Sequence, residues 1–177
     1  MKMIKKNVSH VFKTLNLGVN HMYSLDKKIL EDALTEVNSW DFSLTIEKLQ
    51  EKSYAGWSLE RILNAEKGYK QYLAMTKALG GKQLVPNGDI DRFWHEHILD
   101  TRRYAKDCNS FFGYFLHHYP FFGMRGEVDN TNWINTAKSS NNLWFSTFGE
   151  NLYLMKSDAQ KCPQKCPGGI EDEFLDI

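Results

Sequence analysis

The sequence predicts an all-α protein, a compact single-domain bundle of about five to six helices with a mobile C-terminal tail. Three observations point there. Apolar residues recur every three to four positions through most of residues 24–150, no segment alternates cleanly between apolar and polar, and glycines, prolines and cap-forming residues cut the chain into helix-length pieces. A chain of 177 residues suits one domain. The expected division is an N-terminal extension (1–23), a helical domain (24–155) and a tail (156–177).

Ser24 is the expected cap of a first helix running to about Asn38, with Leu25, Ile29, Leu30, Leu34 and Val37 as its apolar stripe. A second helix starts near Ser43, carries Leu44, Ile46 and Leu49, and ends before Tyr54-Ala55-Gly56. Ser58 opens a longer one, whose stripe from Leu59 through Ile62, Tyr69, Tyr72 and Met75 continues until Gly80-Gly81. Val85-Pro86-Asn87-Gly88 is turn chemistry, after which Asp89 or Asp91 caps a helix that breaks near Leu99. Asp100-Thr101 starts the next, expected to reach Leu116, and Pro120 disfavours helix at Tyr119, placing His117 and His118 at a helix end. Beyond the Gly123–Gly126 turn, Trp133, Ile134, Ala137, Trp144 and Phe148 give a last helix, interrupted around Ser139-Ser140-Asn141-Asn142 and closed by Gly149. The tail, Cys162-Pro163-Gln164-Lys165-Cys166-Pro167-Gly168-Gly169 and then an acidic end, has little to bury. Its cysteines are either idle or reach back to the site as extra ligands or as part of a peptide substrate.

Composition excludes some functions. Lysine plus arginine equals aspartate plus glutamate at 22 each, which argues against nucleic acid as a partner. The N-terminus lacks the apolar run of a secretory signal, and nothing approaches the ~20 apolar residues of a membrane span, so a soluble cytoplasmic protein is expected. Three cysteines, an odd number, fit reduced thiols better than a disulfide framework.

The chemistry concentrates in Asp89-Ile90-Asp91-Arg92-Phe93-Trp94-His95-Glu96-His97-Ile98-Leu99-Asp100, followed by Cys108 and His117-His118. Four of the six histidines and one of the three cysteines fall between His95 and His118. Imidazole and thiolate are the usual ligands of zinc, iron and copper, so a transition metal is the expected cofactor, held by some of His95, His97, Cys108, His117 and His118. The competing reading of each is a hydrogen-bonded or packed core residue. On an ideal helix, residues two apart diverge by about 200°, so His95 and His97 do not ligate one ion from regular helix. Asp91 lies one turn before His95 on the same face and can orient it, whereas His97 shares a face with aromatics and Asp100. Asp100, Tyr104 and Cys108 form one inward stripe. His117 and His118 diverge, so that one of them faces inward. The histidine spacing is not that of a zincin, and neither a P-loop nor a serine nucleophile elbow is present.

At Val85-Pro86, at Asp89-Ile90-Asp91 and Phe93 to Arg102, at Tyr104, Cys108 and Gly113, and at Phe115 to Gly126, the sequence resembles the glycine-rich domain-containing protein-like family, over about residues 57–150. The resemblance implies a small helical domain, and it maps the family's tryptophan–histidine pair and later histidine onto Trp94, His95 and His117 or His118. Some relatives place an aromatic at the position of His97, which implies that it is not an essential ligand. The long glycine-rich region of the plant relatives is lacking here, so the roles tied to that region are not carried over.

The leading expectation is therefore a transition-metal-binding helical domain with Asp91 or Asp100 behind the ligands. If it catalyses a reaction, the ion acts as a Lewis acid or activates oxygen, on a small molecule or peptide. The alternative is a non-catalytic interaction module with an aromatic and histidine-lined groove. RNA stacking on the aromatics is disfavoured by the zero net charge.

Overall fold

The first helix, α1 (Lys27–Asn38), begins at Asp26, whose carboxylate accepts the amide N–H of Ile29. The structure, a computed structural model, describes residues 25–153. The expected cap Ser24 lies outside them, as do the extension 1–23 and the tail 156–177 with Cys162 and Cys166. α2 (Ser43–Gln50) is followed by α3 (Leu59–Ala78), which Ser58 caps as its sequence predicts. α4 (Gly88–Leu99), α5 (Thr101–Phe112) and α6 (Glu127–Phe148) complete six helices, and no strand occurs among the described residues. None of these helices is long and apolar enough to cross a membrane.

α3 is the axis of the bundle: α1, α2 and α4 all pack on it, and α5 packs on α4. Its residues Ile62, Ala65, Tyr69, Tyr72, Leu73 and Met75 are buried, more of the circumference than a surface helix hides. α4 approaches closely at Gly68, where an added Cβ would lie 2.9 Å from Ile90 Cγ1. The core is aromatic, with Phe42, Tyr69, Tyr72, Phe93, Trp94, Tyr104, Phe111 and Trp133 among its largest buried side chains.

Three local expectations are corrected. Asn87, not Asp89 or Asp91, caps α4: its Oδ1 accepts the Ile90 amide at 2.8 Å, while its Nδ2 donates to the Leu152 carbonyl at 2.9 Å. Asp89 instead pairs with Arg61, and Asp91 turns into the core. α5 stops at Phe112, short of Leu116, because Gly113 adopts φ 78°, a left-handed conformation that costs glycine little. α6 runs unbroken through Ser139–Asn142, since Ser140 and Asn141 make tertiary bonds rather than a loop. Ser140 Oγ accepts the Val85 amide at 3.0 Å and donates to the Thr136 carbonyl at 2.7 Å, and Asn141 Oδ1 accepts the Leu152 amide at 2.9 Å.

Candidate metal centre

Helix geometry supplies the first half of the site. Asp91 and His95, four residues apart on α4, project from one face. The second half comes from beyond α5, where the Gly113 reversal sends the chain back across α4 and sets His118 against Asp91. Side chains pin this return segment by its backbone. Tyr104 donates to the Leu116 carbonyl at 2.6 Å and itself accepts from Trp94 Nε1 at 2.9 Å, and Gln83 Nε2 donates to the His117 carbonyl at 2.7 Å. The His118 ring packs 4.5 Å from Trp94 and 4.6 Å from the His95 ring.

His118 Nε2 donates to Asp91 Oδ1 at 2.9 Å, and His95 Nε2 lies 3.8 Å from Asp91 Oδ2. One ligand atom from each of Asp91, His95 and His118 lies within 4.8 Å of the other two, the only such group of His, Cys, Asp or Glu among the described residues. Adjacent ligands of one zinc-like ion sit about 3–3.5 Å apart, so shifts of roughly 1 Å close the set. The Asp91 and His118 side chains are 7% and 13% exposed and His95 is 32% exposed, which leaves an approach to the site from the His95 side. Burial holds the His95 imidazole below its ordinary pKa, against the opposing pull of Asp91, and so favours the neutral form that ligates.

The other sequence-derived candidates lie elsewhere. His97 is buried on another face of α4, among the rings of Trp40, Phe42, Tyr69 and Tyr104, with centroids 5.0–5.9 Å away. Both its nitrogens are engaged: Tyr69 lies 2.9 Å from Nδ1 and Asp107 Oδ2 lies 3.1 Å from Nε2. The neutral tautomer with its proton on Nε2 satisfies both, and burial pushes the His97 pKa down to about 4. Cys108 is buried against Tyr104 and the Leu116 backbone, and burial raises its thiol pKa, which disfavours thiolate. His117 is exposed, its ring tilted against Phe115 at 4.9 Å. Of the five, the structure brings together His95 and His118. Asp91, expected to stand behind a ligand, faces both imidazoles directly. Its spacing from His95 was the available signal, but nothing local reveals His118 on its other side.

The third strong carboxylate of α4, Glu96, is committed to structure. It accepts from Tyr54 at 2.7 Å and pairs with Lys48 at 2.7 Å and Arg92 at 3.0 Å. Next to the triad, Asp91 and His118 form part of the wall of a cavity of about 160 Å³ between α4, α6 and the return segment.

A family model described as UCP032817-like matches residues 32–142, a span that holds all three triad residues. No curated protein and no solved structure matches the chain.

Proposed function

We propose that this chain, which belongs to the UCP032817-like family, binds one divalent transition-metal ion through Asp91, His95 and His118 and uses it on a small molecule held in the adjacent cavity. The carrying observation is the Asp91 carboxylate set between two imidazoles, with all three donor atoms within 4.8 Å. Two nitrogens and one carboxylate oxygen are a catalytic type of ligand set, because three protein ligands leave positions for water and substrate. With Cys108 outside the set no thiolate favours copper(I), and of the three metals expected zinc and iron(II) match the ligands best. A bound ion would supply Lewis acidity or an activated water. The chain's own part is to hold Asp91 and His95 on rigid helix, to anchor His118 through Tyr104 and Gln83, and to keep the site largely dry with Trp94. The resemblance to the glycine-rich domain-containing protein-like family rests on the same Trp94-His95 pair and the later histidines, and it supports a site in this segment.

Elemental analysis of untagged protein tests the reading. About one transition-metal ion per chain is expected, lost in His118→Ala and Asp91→Asn. Metal-free wild type that takes up none on incubation with zinc or iron(II) would overturn it. A second reading, a partner-binding module, is favoured by one observation: Tyr114, Phe115, Tyr119 and Phe121 are all 39–51% exposed along the return segment. It requires no metal, so the same measurement separates the two.

A further inference from the structure

We infer that the molecule bound beside Asp91 and His118 is a single-ring aromatic monoanion, an arylcarboxylate or phenolate, with its anionic oxygen at the metal ion and its ring in the cavity. This rests on the metal reading above. Size, wall chemistry and charge each contribute.

The cavity holds about 160 Å³, close to the ~150 Å³ of an engineered protein cavity that takes up benzene. One ring fills this space, which opens to solvent on one side. Its walls include Pro86, Trp94, Pro120, Phe122 and Trp133, flat faces against which a planar ring packs well. The polar groups there are largely committed, since Tyr72 donates to the Leu84 carbonyl and Gln83 Nε2 to the His117 carbonyl. Thr136 Oγ1 donates to the Asn132 carbonyl and keeps acceptor capacity for one ring substituent.

Charge decides where the anionic group goes. No lysine or arginine lines the cavity, and Asp91 is its one carboxylate. A carboxylate or phenolate buried against those walls would stand unpaired and pay heavily for desolvation. A divalent ion on Asp91 and two neutral imidazoles carries a net charge of about +1, which one monoanionic oxygen neutralises. An organic cation gains nothing there, and a dianion is left with uncompensated charge.

Cobalt(II) loaded into metal-stripped protein reports ligands at the ion through its visible absorption. Benzoate should shift the cobalt bands saturably and quench tryptophan fluorescence, with an affinity at least about tenfold above that of acetate, which offers the same oxygens without the ring. Benzylamine should fail to do so, and 2-naphthoate should bind no more tightly than benzoate. Thr136→Phe, which fills the cavity, should keep the cobalt spectrum but bring benzoate down to the acetate level. Equal responses to benzoate and acetate in wild type would overturn the inference while leaving the metal site standing, as would full benzoate binding by a folded Thr136→Phe. Wild type that binds no cobalt would instead overturn the metal reading, and this inference with it.

Discussion

Asp91 and His118, 27 residues apart, are joined by a 2.9 Å hydrogen bond from His118 Nε2 to Asp91 Oδ1 across the gap between α4 and the segment that returns over it. The same carboxylate presents its other oxygen to His95, so one side chain organises both imidazoles. A metal ion entering here displaces the shared proton, and its affinity therefore weakens as pH falls.

The link from Trp94 through Tyr104 to the Leu116 carbonyl holds His118 in place. Tyr104→Phe removes the hydroxyl and leaves a buried indole N–H and a buried carbonyl unpaired, at a cost of ~1–3 kcal/mol. Urea unfolding should show that loss, and zinc affinity should fall with it because His118 is less well positioned. Unchanged zinc affinity in folded Tyr104→Phe would show that the link serves stability alone. Trp94→Ala should cost more, ~3–5 kcal/mol, as the truncation of a fully buried aromatic.

His97 separates structure from ligation. His97→Leu strands the buried Tyr69 hydroxyl, while Asp107 keeps its pairing with Arg103, so stability should drop by ~1–3 kcal/mol while metal content stays at the wild-type level. Loss of the metal from a folded His97→Leu protein would place this histidine in the site after all.

Cys108 should behave as a small apolar residue. In a Cys162→Ser/Cys166→Ser background, its thiol should react with a disulfide reagent far more slowly in the native protein than in urea, with or without chelator. Rapid native labelling, or labelling switched on by the chelator, would mark it as a ligand.

Gly68 lets α3 and α4 approach closely one residue before Asp91 in the facing helix. Gly68→Val forces Ile90 outward and should destabilise the protein by ~1–3 kcal/mol. Thermal stability equal to wild type would mean that the two helices separate freely there.

The helices were legible where local chemistry decides them. Ser58 and Asp100 cap the helices they precede, apolar periodicity located α1 to α3, and turn and cap chemistry located α4 and α5. Where tertiary contacts decide, the sequence misled. Ser140 and Asn141 look like a break because their Val85 and Leu152 partners are remote in the chain, and Asn87 outcompetes Asp89 because Arg61 takes the latter. The site divides the same way. The divergence of His95 and His97 follows from helix geometry, and so does the shared face of Asp91 and His95. That His118 rather than His117 turns inward depends on the reversal at Gly113 and on hydrogen bonds to backbone carbonyls, none of which leaves a periodic trace.

The central claim is tested most directly by titrating chelator-stripped, untagged protein with zinc at pH 7 and following the heat of binding in wild type and in Asp91→Asn. The account predicts a saturable site of about one ion per chain in wild type, with proton release, and an affinity at least about tenfold weaker in Asp91→Asn. No saturable binding by folded wild type, or equal binding by the two proteins, would contradict it.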